Sequence, residues 1–165
     1  MQNAKDTFYI TLRDRIAALN PARTIVVRGI TRPGVVVEEN ELVSAYDQAD
    51  VFRLRWTGLQ VDPQGALPLI TMRCQILYST AGGAGNGGMD RGRLLTAMDA
   101  ELAAALSQPP RHTVKTNYAT TQPSAAMRTH IFWNDAVFQA EQPKEERLER
   151  AATVDVFSYQ EAGEL

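Results

Sequence analysis

Ile70-Thr71-Met72-Arg73-Cys74-Gln75-Ile76-Leu77-Tyr78, then Gly82-Gly83-Ala84-Gly85-Asn86-Gly87-Gly88, then the run from Asp90 to Leu106 decide the fold. In the first piece Ile70, Met72, Cys74, Ile76 and Tyr78 are apolar, and Thr71, Arg73 and Gln75 between them are polar. A two-residue period predicts a strand with one buried and one wet face. The glycine run fits neither regular structure, because glycine ranges freely over φ and packs no side chain. From Asp90 the period becomes helical, with Leu94, Leu95, Met98, Leu102, Ala105 and Leu106 on one stripe. Asp90 is the expected N-cap, and Pro109-Pro110 stops the element. Strand, glycine loop and helix over residues 90–106 thus follow one another directly.

Upstream, Phe8, Leu12, Ile16 and Leu19 repeat at helical spacing, predicting a helix over residues 7–19 with Asp6 or Thr7 as cap and Asn20-Pro21 as its end. Its polar side carries Arg13, Asp14 and Arg15, read as solvated charges. Residues 24–28 form a β-branched run. Thr31-Arg32-Pro33-Gly34 has turn chemistry, and Val35-Val36-Val37 reads as the returning strand, so residues 24–39 are expected to form a hairpin. Residues 38–50 fit a helical turn or a loop equally well. From Val51 to Trp56, Phe52, Leu54 and Trp56 alternate with Val51, Arg53 and Arg55, predicting a half-exposed strand paired antiparallel with residues 70–78 and placing Trp56 in the core. The polar faces of these two strands carry Arg53, Arg55 and Arg73, for which acidic groups of a neighbouring element or subunit are the expected partners. Further strands are expected at residues 113–118, 129–133 with a continuation at Val137-Phe138, and 151–159. Pro143 marks a turn or exposed loop, and residues 161–165 read as a loose tail.

These elements predict one α+β domain over residues 1–165, a mainly antiparallel sheet with the two helices on one face. A single cysteine, Cys74, excludes an intrachain disulfide and lies on the apolar face of its strand, as an inert core thiol. The first residues lack the basic-then-apolar layout of a signal peptide, and no apolar run approaches the roughly 20 residues that cross a bilayer, so a cytoplasmic protein is expected. A net charge of −2 supplies no bulk attraction to nucleic acid or to a membrane.

Gly83-Ala84-Gly85-Asn86-Gly87-Gly88 matches the spacing of a dinucleotide-binding loop and sits between a strand and a helix. The chemistry around it points elsewhere. The preceding strand alternates, whereas a central parallel strand is apolar on both faces. Asp90 stands where a phosphate needs positive potential, and no acid follows at the distance that would hold a ribose. No Lys-Ser or Lys-Thr ends the run, which excludes a P-loop. The expected reading is a flexible surface loop and no cofactor. His112 and His130 are the only histidines; neither has a zinc-ligand pattern nor a nucleophile signature around it, and no catalytic or metal-binding residue is assigned.

Charge distribution carries more. No acidic residue lies between Glu101 and Asp135, while Arg111, Lys115 and Arg128 lie inside that interval; Glu141, Glu145, Glu146 and Glu149 follow closely. Trp133 and Ile131 alternate with His130 and Phe132, so the strand is bulky on both sides, which suggests cover from a second subunit.

The order of helix, hairpin, alternating strands, glycine-rich loop, amphipathic helix, long loop and closing strands resembles the tail-terminator, or tail-completion, proteins of bacteriophages and phage-like contractile particles. The resemblance is carried by residues 8–19, by residues 68–79 running into Arg91-Gly92-Arg93-Leu94-Leu95-Thr96-Ala97-Met98-Asp99-Ala100-Glu101-Leu102, and by Thr153-Val154-Asp155-Val156-Phe157-Ser158-Tyr159. It covers nearly the whole chain as a likeness of element order and length; the loop at residues 107–127 and the acidic stretch at residues 141–149 depart from it. It implies a structural ring, typically hexameric, that caps a tail tube, adjoins the sheath and docks to the head–tail connector, with no catalytic residues. Candidate contacts are Arg91, Arg93, Arg111, Lys115, Arg128, Trp133, Phe138, Glu145, Glu146 and Glu149. A nucleotide-dependent enzyme built on the glycine loop and a small α+β ligand-binding module are the competing readings.

Overall fold

The computed structural model describes residues 1–39, 48–118 and 123–164. The chain is α+β. Its elements are α1 (Gln2–Leu19), β1 (Thr24–Val27), β2 (Ile30–Pro33), β3 (Val35–Val37), β4 (Phe52–Asp62), β5 (Leu69–Thr80), α2 (Arg91–Ser107), β6 (His112–Asn117), β7 (Ala125–Trp133), β8 (Val137–Phe138), β9 (Gln142–Lys144) and β10 (Arg147–Tyr159). The main sheet runs β3-β4-β5-β10-β7-β6, and β8 and β9 also pair with β10. Every pairing is antiparallel except β3 with β4.

β5 behaves as its pattern requires. Ile70, Met72, Cys74, Ile76 and Tyr78 are buried in one core with Leu12 and Ile16 of α1 and Leu95, Met98 and Leu102 of α2, so both helices cover the same face of the sheet. β10 pairs with β5 along its full length, adding Ala152, Val154 and Val156 to that core.

α1 starts at Gln2, ahead of the expected Thr7, because Ala4 continues the buried stripe one turn back from Phe8. Thr7 is therefore no cap; its hydroxyl donates to Asn3 O at 2.6 Å. Arg15 is not simply solvated either. Its guanidinium donates to Ala105 O (2.9 Å), Gln108 O (2.8 Å) and Pro110 O (2.6 Å), satisfying carbonyls that the end of α2 would leave without partners. Burial lowers the affinity of Arg15 for its proton.

The first hairpin is shorter than expected. β1 turns directly into β2 through Arg28 and Gly29, at φ 50° and 79°. Positive φ at both central residues is what a type I′ turn requires. Pro33 lies within β2, and Val35–Val37 leaves the hairpin to pair parallel with β4, where all three valines are buried. The undecided stretch at residues 38–50 falls largely on residues 40–47, outside the described residues.

β4 continues past Trp56 to Asp62, with a bulge between Trp56 and Gly58. Trp56 is half-buried at the margin of the core, 6.0 Å from the Phe8 ring. Pro143 lies in β9, and the turn that follows is at Glu145-Glu146, with Glu145 at φ 54°. The closing segment is no loose tail: Glu164 is buried and bonded to Lys115 at 2.6 Å.

Candidate assembly surfaces

The glycine loop is pinned rather than free. Asp90 precedes α2, but its carboxylate caps nothing in the helix; it reaches back to the Gly83 N–H at 2.8 Å and to Asn86 Nδ2 at 3.2 Å. Those two bonds hold the Asp90 carboxyl below its usual range. Arg91 Nε donates to Ala81 O at 3.1 Å, closing the loop from the other side. Gly82 (φ 83°) and Gly88 (φ 77°) are in the left-handed region, and a Cβ on Gly82 would lie 2.7 Å from Gly88 Cα. The glycines are thus explained by close chain packing around Asp90 and Arg91. The loop amide that would meet a phosphate already holds the chain's own anion. Nicotinamide and adenine nucleotides at millimolar concentration are therefore expected to leave the melting temperature unchanged. A nucleotide at about 100 times its dissociation constant would stabilise by about 2.7 kcal/mol, or several degrees at this length, which differential scanning fluorimetry resolves.

The structure does not bring Arg111, Lys115 and Arg128 together as a basic surface. Arg111 pairs with Asp135 at 2.6 Å on the exterior. Lys115 sits at a bulge of β6 and is 0% exposed, its ammonium bonded to Glu164, to Tyr159 O at 2.6 Å and to Ser158 Oγ at 3.4 Å. It is a core residue and cannot contact a partner. Arg128 is exposed. Trp133 is also core: its indole N–H donates to Leu106 O at 2.9 Å, and its ring packs on Phe8 and beneath the Arg15 guanidinium. What covers Trp133 is α1 and α2, not a second subunit. On the other side of the same strand Phe132 stacks on Phe157 at 5.2 Å, half-buried on the helix-free face of the sheet. Phe138 packs against the margin of the core beside Ala152.

Arg93 is exposed at the start of α2, whereas Arg91 is committed to the glycine loop. Glu145 and Glu146 are exposed at the tip of the β9–β10 hairpin, and Glu149 pairs with Lys144 at 3.2 Å. The arginines of the helix-free face have partners within the subunit. Arg53 and Arg55 both meet Glu38, and Arg73 meets Asp155 at 3.0 Å. A pocket of about 270 Å³ opens on this face beside Arg53, Arg55, Gln75 and Arg150. Arg150 is held by Asp99, Glu141 and Gln139 O.

Cys74 is fully buried, and desolvation raises its pKa far from a reactive thiolate. His112 and His130 meet edge to face at 5.5 Å on the exposed side of β6 and β7. Among the described residues no group of three or more His, Cys, Asp or Glu is placed to hold a metal ion, and no helix is long and apolar enough to cross a membrane.

Two exposed apolar surfaces escaped the sequence reading. One is the β1–β2 hairpin, where Val26 on one face is 59% and Ile30 on the other 69% exposed. The other is the far half of β4, where Leu59 is 53% and Val61 47% exposed. The bulge after Trp56 shifts the alternation by one residue, so Leu59 lies opposite Met72 and Val61 opposite Ile70, on the helix-bearing face, where Leu59 borders a cleft with Gln2 and Lys5 at the start of α1. The usable signal was the alternation Thr57, Leu59, Val61 out of phase with Phe52, Leu54, Trp56, with Gly58 at the change. No protein-family model matches the chain, and no curated protein matches it.

Proposed function

We propose that the protein is a structural assembly subunit of the tail-terminator type, forming a homo-oligomeric ring that caps a tail tube and docks to a head–tail connector. One observation carries this reading: large apolar side chains outside the buried core are exposed on two different hairpins, Val26 and Ile30 on β1–β2 and Leu59 and Val61 on β4–β5. A closed ring needs two different surfaces on each subunit, and these two hairpins supply them. The tube and connector as partners come from the resemblance in element order described above. The acidic tip at Glu145 and Glu146, with Glu149 behind it, and the exposed Arg93 and Arg128 then serve as rim charges of the assembly.

Sedimentation of the purified protein, followed by imaging, tests the proposal. The expected result is a ring-sized species whose mass is an integral multiple of the subunit's. Reversing Glu145, Glu146 and Glu149 to lysine is expected to weaken that species at low salt, while the melting temperature stays near that of the native protein, because exposed charges contribute little to folding. A protein that sediments as a monomer even with its tube partner present overturns the reading.

A further inference from the structure

The two histidines of the chain are far apart in the sequence, and the β6–β7 pairing brings them side by side. His112 lies opposite Phe132 and Val114 lies opposite His130, so the histidines hold diagonal positions on adjoining strands. Both face the helix-free side of the sheet, as Phe132 does, because side chains alternate along each strand. Their backbone positions are fixed from behind. Next to His112 on β6, Thr113 lies opposite Ile131, which is fully buried in the core beside His130. The main-chain N–H of Trp133, itself a core residue, donates to Arg111 O at 3.3 Å and holds the start of β6 where His112 stands.

Both rings are exposed, and their centroids are 5.5 Å apart at an interplanar angle of 72°. No hydrogen bond or ion pair among the described residues engages either imidazole, so the ring nitrogens are open to a ligand. Metal–nitrogen bonds of about 2.0–2.1 Å, with about 1.1 Å more to each ring centre, set two imidazoles on one tetrahedral ion about 5.2 Å apart. Right-angle ligand positions, as on an octahedral or square-planar ion, bring the same rings to about 4.5 Å. The observed separation fits the tetrahedral case after a small shift. Turning each ring about its Cβ–Cγ bond, a soft rotation, aims one nitrogen of each at a common point, and no buried group has to move. We infer that His112 and His130 together bind one zinc ion on the helix-free face of the sheet, as two of its four ligands. Among the described residues no carboxylate or thiol completes a third protein ligand, so the other positions fall to water or to a donor from a second molecule. A pocket of about 490 Å³ in front of the pair, lined also by Thr129, Phe132 and Tyr159, gives those ligands room. Charge does not draw the ion. Arg111 is matched by Asp135, and Arg128 stands two residues before His130 on the same face. The attraction is the imidazole–zinc bond, and magnesium and calcium, which take oxygen ligands, are refused. The site stands whether or not the chain assembles.

Zinc chloride titrated calorimetrically into the untagged full chain tests the site, with His112→Gln and His130→Gln beside the native protein. The native protein is expected to take up one zinc ion per chain with micromolar affinity, and magnesium chloride to give no binding heat. Either substitution is expected to weaken zinc binding by at least about tenfold, more than the loss of a residue that merely orients a ligand. Both positions are exposed, so each variant is expected to keep the native circular dichroism and melting temperature without zinc. Proton NMR reads the ligands directly. The chain has only two histidines, so it gives two sets of imidazole signals, and both are expected to move together and saturate at one zinc per chain. No zinc binding by the native protein, unchanged affinity in either glutamine variant, or movement of one imidazole alone overturns the inference.

Discussion

Glu164→Ala is expected to destabilise the protein by about 3–5 kcal/mol, the range for leaving one member of a buried ion pair without its partner. The reason lies in Lys115, whose side chain is wholly buried and whose ammonium has one carboxylate at bonding distance, Glu164 at 2.6 Å. Tyr159 O and Ser158 Oγ also accept from it but carry no charge. Removing the carboxylate leaves the buried cation with the Glu161 carboxylate, 4.0 Å away and also engaged with Arg128 and Thr129, as its one remaining anion among the described residues. The same substitution also frees the Glu161 N–H, which Glu164 accepts at 2.9 Å. Glu161 in turn accepts the N–H groups of Arg128 (2.9 Å) and Thr129 (2.7 Å). Loss of Glu164 therefore loosens the closing segment from β7 as well as from β6. For a chain of this length the cost corresponds to a fall in melting temperature of about 10 °C. Replacing both partners, with Lys115→Met and Glu164→Leu, is expected to recover most of the loss, since a neutral pair of similar size needs no charge compensation. Chemical denaturation of the two variants beside the native protein measures the difference. A single variant within about 1 kcal/mol of native would mean that the closing segment does not hold Lys115.

Lys115 also shows where sequence reading stops. A lysine in an acid-free interval reads as surface charge, and nothing local to residues 112–117 announces that its partner is Glu164, nearly fifty residues on. The same limit hid the role of Arg15, whose acceptors Ala105, Gln108 and Pro110 become neighbours only when α1 packs on α2. What was legible is what depends on period. β5 follows the alternation, and α2 follows the helical stripe at every expected position except Leu94, which is exposed in its first turn, since burial on one face is a property of local spacing. The errors fall where one residue changes the phase or direction of the chain. The bulge after Trp56 carries Leu59 and Val61 to the opposite face from the one that simple alternation assigns. The turn lies at Arg28 and Gly29 rather than at Pro33-Gly34, because both residues take positive φ, the geometry of a two-residue type I′ hairpin that Pro33 cannot adopt. The apolar surfaces that carry the assembly proposal lie on these two irregularities.

Phe8→Ala is expected to cost about 3–5 kcal/mol, as truncation of a large buried aromatic does. Phe8 is the residue through which α1 grips both ends of the sheet. Its ring meets Trp56 of β4 at 6.0 Å and 68°, and Trp133 of β7 at 5.7 Å and 70°, both edge to face. Such pairs contribute about 0.5–1.5 kcal/mol each beyond the area they bury, so the loss is expected near the upper end of the range. The cavity left by alanine cannot collapse easily, because Trp133 is tethered by its bond to Leu106 O and Arg15 lies over its far side. Phe8→Leu keeps most of the volume and is expected to lose less than half as much. The chain has only two tryptophans, and Phe8 touches both, so the emission of the folded alanine variant is expected to shift to the red as solvent gains access. Urea unfolding followed by that emission reads both effects in one experiment. If Phe8→Ala unfolds at the native midpoint with unchanged emission, α1 does not bridge β4 and β7 through this ring.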